Sequence, residues 1–349
     1  MDHSRLFGCL LIVGTLLSAG CQSNGASKST APVGSPVAIK TPLGLPPLPI
    51  PSDNPPTAET IALGKKLYFS PILSIDKSIS CSTCHDPGLG FTDRRSVSIG
   101  VRGGRGPRNA PTILNAAYNS SQFWDGRAPS LEEQASGPMM NLVEMAHTPE
   151  GIEQACANDP ELKAMFAAAF GPAPITMARV TKALAAYERT LLSGNSPFDR
   201  YYFGNEPEAL DAAARRGFDV FRNPAKGNCT ACHTMQAEYA LFTDNLFHNL
   251  GAGMNAEGEI ADPGRYQVTS RDRDKGAFRT PSLRNVALTA PYMHDGSLKT
   301  LKDVVDFYVA GGNSNPNIDK LIRPLSQLTR QDRSDLVAFL ESLTGAPTK

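Results

Sequence analysis

The chain has 349 residues, with 34 basic side chains balanced by 34 acidic ones. That length allows two domains, each with its own core. The zero formal net charge argues against a general nucleic-acid binder, which needs a strongly basic face, but leaves room for local charged docking patches.

The first 20 residues read as an export signal. Arg5 is the basic region, Leu6 to Leu17 the apolar run, and Ser18-Ala19-Gly20 supplies small residues before Cys21. The run is too short and too Gly-interrupted for a transmembrane helix. Leu17 to Cys21 resembles a bacterial lipoprotein cleavage site, with Cys21 as the lipidated first residue. Ser18 departs from that pattern, and ordinary secretion with nearby cleavage is the other reading. Either reading sends the mature protein out of the cytoplasm, to the periplasm. Residues 21–56 are rich in Ser, Ala, Pro and Gly, which predicts an extended tether rather than a core.

Order is expected from Thr57, with a helix over 58–69. Cys81-Ser-Thr-Cys84-His85 follows in a loop, then an irregular Gly- and Arg-rich stretch over 88–111. Ser130 and Glu133 form a capping-box pattern that starts a helix at Leu131, and Gly137-Pro138 should end it. Met177, Val180, Leu184, Tyr187 and Leu191 keep helical spacing over 176–192. Residues 195–207 are turn-rich and mark a domain boundary. A helix over 210–221 precedes Cys229-Thr-Ala-Cys232-His233, repeating the helix-then-motif order of the first half. Thr300 caps a helix stopped by Gly311-Gly312, and a last helix covers about 329–344. Strand signals are scarce. The expected fold is mainly α, with two cytochrome c-like domains at 57–204 and 205–349.

Each Cys-x-x-Cys-His run reads as a c-type haem attachment site. The thiols bond to the haem vinyl groups and the imidazole ligates the iron. A four-cysteine zinc site is the alternative, but its pairs stand roughly 15–20 residues apart and carry no following His. The cysteine count then closes: Cys9 leaves with the signal, Cys21 is the lipid candidate, four hold haem, and Cys156 remains as a buried, inert thiol. An electron carrier needs nothing more. An enzyme needs an iron with an open position, so the distal residues decide between them.

The runs Gly106 to Thr112, Gln122 to Arg127, Glu133 to Pro138, Val143 to Met145, Phe247 to Asn249 and Pro291 to Gly296 resemble those of the bacterial di-haem cytochrome c peroxidases and MauG. The resemblance covers about residues 57–345. It implies a peroxide-reacting haem on Cys81, Cys84 and His85, and an electron-transfer haem on Cys229, Cys232 and His233. Trp124, the one Trp of the chain, matches an electron relay between them; by itself a lone Trp reads as a core anchor. Glu144 matches a distal proton-transfer group, Gln134 a residue that orients peroxide, and Pro138 one that shapes the same pocket. Without the motif, Glu144 reads as a solvated surface acid. Asn109, Thr289 and Pro291 match a calcium site.

Two departures from the ordinary peroxidases stand out. Their Ser-Ile-Gly-His run, whose His caps the first haem, is Ser98-Ile-Gly-Val101 here, so that haem is expected open. Their Met ligand, fourteen residues after His294, is replaced by Tyr308, as in MauG. A phenolate would lower the potential relative to Met; a core-facing Tyr is the plainer reading. His248 and His294 are expected to hydrogen-bond near the haem propionates or to support the pocket, and His147 to lie at the surface. The expected activity is reduction of hydrogen peroxide with electrons from a small cytochrome c or cupredoxin. The rivals are MauG-like oxidation of residues on a partner protein and a non-catalytic electron-transfer cytochrome. MauG's surface Trp route has no counterpart here, though a Tyr could replace it. The family includes monomers and homodimers.

Overall fold

The structure, a computed structural model, describes residues 30–255 and 257–347. The expected signal segment and Cys21 lie outside the described residues. The architecture is mainly helical, as expected: α1 (Ala58–Phe69), α2 (Cys81–Cys84), α3 (Leu131–Met140), α4 (Pro149–Asn158), α5 (Pro160–Phe170), α6 (Met177–Glu188), α7 (Pro197–Tyr202), α8 (Ala212–Arg222), α9 (Tyr266–Thr269), α10 (Leu301–Ala310) and α11 (Arg330–Glu341). Two small antiparallel pairs complete it. β1 (Ser193–Gly194) joins β4 (Ala346–Pro347), and β2 (Phe247–Asn249) joins β3 (Ala277–Arg279), with His248 opposite Phe278.

Each half is built on one tight helix crossing. α1 meets α6 at Gly64, where an added Cβ would lie 1.9 Å from the Ala183 carbonyl oxygen. α8 meets α11 at Gly217, where an added Cβ would lie 1.9 Å from the Asp335 carbonyl oxygen. Four residues after each glycine an aromatic residue enters the core, Tyr68 in the first half and Phe221 in the second. The first core gathers Leu63, Leu67, Met139, Phe166 and Leu184. The second is more aromatic, with Phe198, Phe218, Phe221 and Phe242 around Phe339; the Phe221 and Phe339 rings are 4.8 Å apart.

The halves repeat in finer detail. Asn115 and Asn285 both hold φ +61° before a short 3-10 turn. Gln122 bridges Ala128 as Tyr292 bridges Leu298. Ser130 caps α3 as Thr300 caps α10. In this register Trp124 corresponds to His294, and Pro138 to Tyr308.

Several elements differ from the sequence reading. Pro138 does not end α3; it sits in the last turn, where only one backbone bond is lost, and Asn141 N still closes on Gly137 O. α6 stops at Glu188, short of the expected 192, because the chain turns into β1. The turn-rich 195–207 segment contains α7, started by a Ser196–Asp199 capping box. The larger difference is the expected tether. Its described part, 30–56, is laid across both halves. Apart from a few bonds within itself, among them Leu45 N to Pro42 O and Asn54 N to Pro51 O, this extended Pro-rich backbone bonds to the body. Leu43 O accepts from Asn195 N at 2.9 Å, Gly44 O from Ala240 N at 3.1 Å, Pro46 O from the Tyr118 hydroxyl at 2.9 Å and Asp53 O from Lys182 Nζ at 2.8 Å.

Under this strap Asp199 and Arg284 form a forked pair at 2.8 and 2.9 Å, both side chains essentially inaccessible, and Arg284 also donates to Gly44 O. Removing one partner strands the other's charge in the interior. Asp199→Ala should therefore lower the unfolding free energy by about 3–5 kcal/mol, read by denaturant unfolding; a loss under about 1 kcal/mol would place the pair among weak surface bridges.

Candidate functional site

The first centre forms where α2 turns into His85. Ser80 and Thr83 make a capping box that winds Cys81 and Cys84 into one helical turn. The His85 Nδ1 faces the Phe91 carbonyl oxygen at 3.2 Å. A carbonyl can only accept, so Nδ1 carries the proton and Nε2 keeps the free lone pair. Burial holds the His85 pKa below its ordinary value, which favours the neutral ligand form. The buried Tyr68 hydroxyl donates to the His85 carbonyl from behind.

Facing this centre is the loop after α3. Val101 is buried, and its N–H donates to Glu144 O at 2.8 Å. The Glu144 carboxylate accepts from Asn141 Nδ2 at 2.6 Å. Burial raises the Glu144 pKa, opposed by the Asn141 bond and by the Arg127 charge. Glu144 in turn helps to raise the Cys84 thiol, after burial, so the acid and the attachment turn share one centre. Gln134 and Pro138 lie one turn apart on the same face of α3. Among the described residues no hydrogen bond joins Gln134 to Glu144.

The second centre repeats the first. A 3-10 turn over Cys229–Ala231 leads to His233, whose Nδ1 faces the Phe242 carbonyl oxygen at 2.9 Å. Here too Nε2 is left free, and burial lowers the pKa. A cavity of about 270 Å³ opens beside it, lined by Cys229, Cys232, His233, Met293 and Tyr308. Burial, and then the Cys229 and Cys232 thiols, push the Tyr308 phenol above its ordinary value.

Trp124 belongs to the first half but lines this second cavity. Its indole N–H donates to Asn109 O at 2.9 Å, and its carbonyl accepts from Arg279 N at 2.8 Å. Asn109 N donates to His294 O, so the two corresponding residues of the repeat meet through one asparagine. Asn109, Thr289 and Pro291 line the same cavity. Asn109 Nδ2 donates to Arg95 O at 2.7 Å and the Thr289 hydroxyl to Val286 O at 3.1 Å. Arg108 fastens the join, with Asp125 at 2.5 Å and Asp262 at 2.7 Å. His294 stacks on Phe278, centroids 3.7 Å apart.

One feature was not legible in the sequence. His248 sits between Asp319, at 2.6 Å from Nδ1, and Asp244, at 3.0 Å from Nε2. Its pKa is pushed up to about 10, by the Cys232 thiol first and by Asp319 and Asp244, against burial. The first of these causes ends once haem attachment turns the Cys232 sulfur into a thioether, which leaves the two carboxylates to favour the charged imidazole. Cys232, Asp244 and His248 form a cluster with ligand atoms within 4.8 Å. No local motif announces Asp319, which is remote in sequence.

The residues fit a covalently attached haem at each centre. Two unpaired thiols stand on one turn, next to a neutral imidazole with Nε2 free, and each set has its own core. That separation excludes one four-thiol zinc site shared by both pairs. Comparison with known proteins agrees. A family model described as di-haem cytochrome c peroxidase matches residues 58–207, and a cytochrome c model matches 214–344. The chain is 40% identical to the methylamine utilization protein MauG of Methylorubrum extorquens over 301 residues, covering 86% of this chain and 82% of that one. It is 42% identical to the cytochrome c551 peroxidase of Pseudomonas aeruginosa over 287 residues, covering 81% and 78%. A solved MauG-like protein associated with microbial copper homeostasis superposes with TM-score 0.80 at 33% identity, covering 88% of this chain and 96% of that one.

If each motif holds one haem, Cys81→Ser/Cys84→Ser and Cys229→Ser/Cys232→Ser should each keep one covalent haem per chain. Pyridine haemochrome and haem-stained denaturing gels count it; two haems in either variant would refute the assignment.

Proposed function

We propose, from the premise that this chain belongs to the di-haem cytochrome c peroxidase and MauG family, that it reduces hydrogen peroxide in the periplasm with electrons from a small cytochrome c or cupredoxin. The chain is a peroxidase-type oxidoreductase with two haem c groups. The peroxide side is the His85 centre and the electron-entry side the His233 centre, in domains 57–204 and 205–349.

The observation that carries this reading is Val101. It is buried against the Glu144 backbone where the ordinary peroxidases place a capping His. A Val side chain has no lone pair to offer, so the first centre keeps room for peroxide. The bound haem supplies the iron that takes up the two oxidising equivalents. The ionised Glu144 removes a proton from one peroxide oxygen and returns it to the oxygen that leaves as water. Gln134 orients the peroxide without titrating, and Pro138 bounds the pocket. Two electrons and two further protons complete the conversion to two waters. Trp124 is the relay between the centres, supported by its place on the second cavity wall. Asn109, Thr289 and Pro291 hold a calcium ion at the join through hard oxygen donors. Cys21 anchors the mature chain by lipid, and the protein acts as a monomer or homodimer.

A second reading is favoured by Tyr308. It projects from α10 into the second cavity beside both attachment cysteines. As a phenolate ligand it would stabilise the oxidised haem, the condition for oxidising residues of a partner protein rather than simply accepting electrons.

Mixing the fully ferric protein with peroxide in a stopped-flow spectrometer tests the open site: both haem spectra should change at once. A reaction that waits for prior reduction of one haem would show a hidden ligand on the first. In the same assay the rate should fall as pH drops through the Glu144 pKa, an acid limb above the ordinary Glu value of about 4.3. Glu144→Gln should remove the limb and slow the reaction by about 10²–10⁴; full activity there would take Glu144 out of the mechanism.

Tyr308→Met should raise the potential of the second haem and impose a need for prior reduction. Spectroelectrochemistry measures it, and an unchanged potential would end the ligand assignment.

A further inference from the structure

Near the Cys81 attachment turn lies a carboxylate that the peroxide chemistry does not use. Glu188 closes α6 and is 7% exposed. Its charge acts on the Cys81 thiol and on the Tyr68 and Tyr187 phenols, whose rings lie 5.2 Å apart. Tyr68 in turn donates to the His85 carbonyl. Glu188 thus acts on Cys81 of the attachment turn, and Glu144 on Cys84.

The nearby cations are committed elsewhere. Arg189 forks onto Glu132 at 2.7 and 3.1 Å, and Lys182 pairs with Asp53 at 3.0 Å. Among the described residues no side-chain hydrogen bond reaches the Glu188 carboxylate. A buried carboxylate without a partner is costly when ionised unless a positive charge lies near. The haem core is that charge, and it changes. Ferric iron in a dianionic porphyrin carries one net positive charge; ferrous iron carries none. The ionised carboxylate therefore suits the ferric haem, and the neutral acid suits the ferrous one.

We propose that Glu188 is the proton-holding group that ties the redox potential of the haem on Cys81, Cys84 and His85 to pH. When a one-electron donor reduces this haem, the electron goes to iron and one solvent proton goes to a Glu188 carboxylate oxygen. On oxidation both leave. This rests on haem attachment at that turn. Burial first raises the Glu188 pKa to about 8, with Arg189 lowering it and Glu132 raising it. The other facing groups are Tyr68 from α1, Tyr187 from α6 and Cys81 from α2, a thioether once haem is attached. The two phenols are themselves pushed upward and stay protonated through this range.

The test is a spectroelectrochemical titration of the holoprotein at successive pH values. The component missing from Cys81→Ser/Cys84→Ser identifies the first haem. Its potential should fall with rising pH in the range around 8, with a slope approaching ~59 mV per pH unit, the tenfold step of a one-electron couple. Glu188→Gln should be flat there, fixed near the acid-side value of the wild type, and Glu188→Asp should restore a slope. A slope that persists in Glu188→Gln, or is absent from the wild type, overturns the proposal. Should Glu188→Gln not fold, redox-difference infrared of the wild type decides. A carboxylic C=O band gained on reduction and shifted in heavy water supports it, and its absence refutes it. Haem counts on the same samples separate the two premises. One haem per chain refutes attachment and this proposal together; two haems without a slope refute Glu188 alone.

Discussion

Everything in this molecule depends on two backbone contacts, Gly64 against Ala183 and Gly217 against Asp335. No Cβ fits at either glycine. The helices α1 and α8 can therefore press backbone to backbone on α6 and α11, which sets where the next stretch of chain emerges. In each half that stretch is the attachment turn. Each proximal imidazole is then fixed by a carbonyl held in the following loop, Phe91 O in one half and Phe242 O in the other. A side chain larger than hydrogen at the crossing would move the turn away from its core and the imidazole away from its carbonyl. Structure and chemistry are joined here by steric exclusion rather than by a strong bond.

The second constraint is the join between the halves. Trp124 comes from one half and lines the cavity of the other. Its position is set by polar contacts at both ends of the residue, the indole to Asn109 O and the carbonyl to Arg279 N. Arg108 then closes the seam, pairing with Asp125 of the first half and Asp262 of the second, and the Pro-rich strap bonds to both halves. The relay role proposed for Trp124 would need a fixed gap. Domain interfaces move by default unless they are well secured, and this one is secured by charge pairs that cannot be broken singly without stranding a charge.

Much of this was legible in the sequence and some was not, for reasons that differ residue by residue. The attachment turns, α1, α3, α10 and α11 announce themselves because their signals are local: cysteine spacing, capping residues and helical periodicity. The strap reads as a free tether because composition records that a Pro-rich segment makes few bonds to itself. It does not record that the segment's carbonyls are taken by Asn195, Ala240 and Arg284. His248 is expected from sequence to hydrogen-bond near the haem propionates or to support the pocket, and Asp319 reaches it only through the fold. Glu188 carried no signal. It sits on the buried side of a helix whose periodicity was read from its apolar residues, and its isolation appears only when Arg189 is seen turned toward Glu132.

The repeat explains how one module serves two roles. Pro138 and Tyr308 occupy the same place, eight residues after the capping Ser130 and Thr300. At that place the first half offers a ring with no donor atom and the second offers a phenol. Val101 adds a second inert side chain to the first centre, and Glu144 stands in that space with its pKa raised. The second centre instead has His248 held between two carboxylates. The first centre has two carboxylates whose pKa values burial raises, Glu144, which acts on the Cys84 thiol, and Glu188, which acts on the Cys81 thiol. Peroxide reduction consumes protons where the O–O bond breaks and only electrons where they enter. In the reading proposed above those protons are needed at the first centre, where the two raised carboxylates lie.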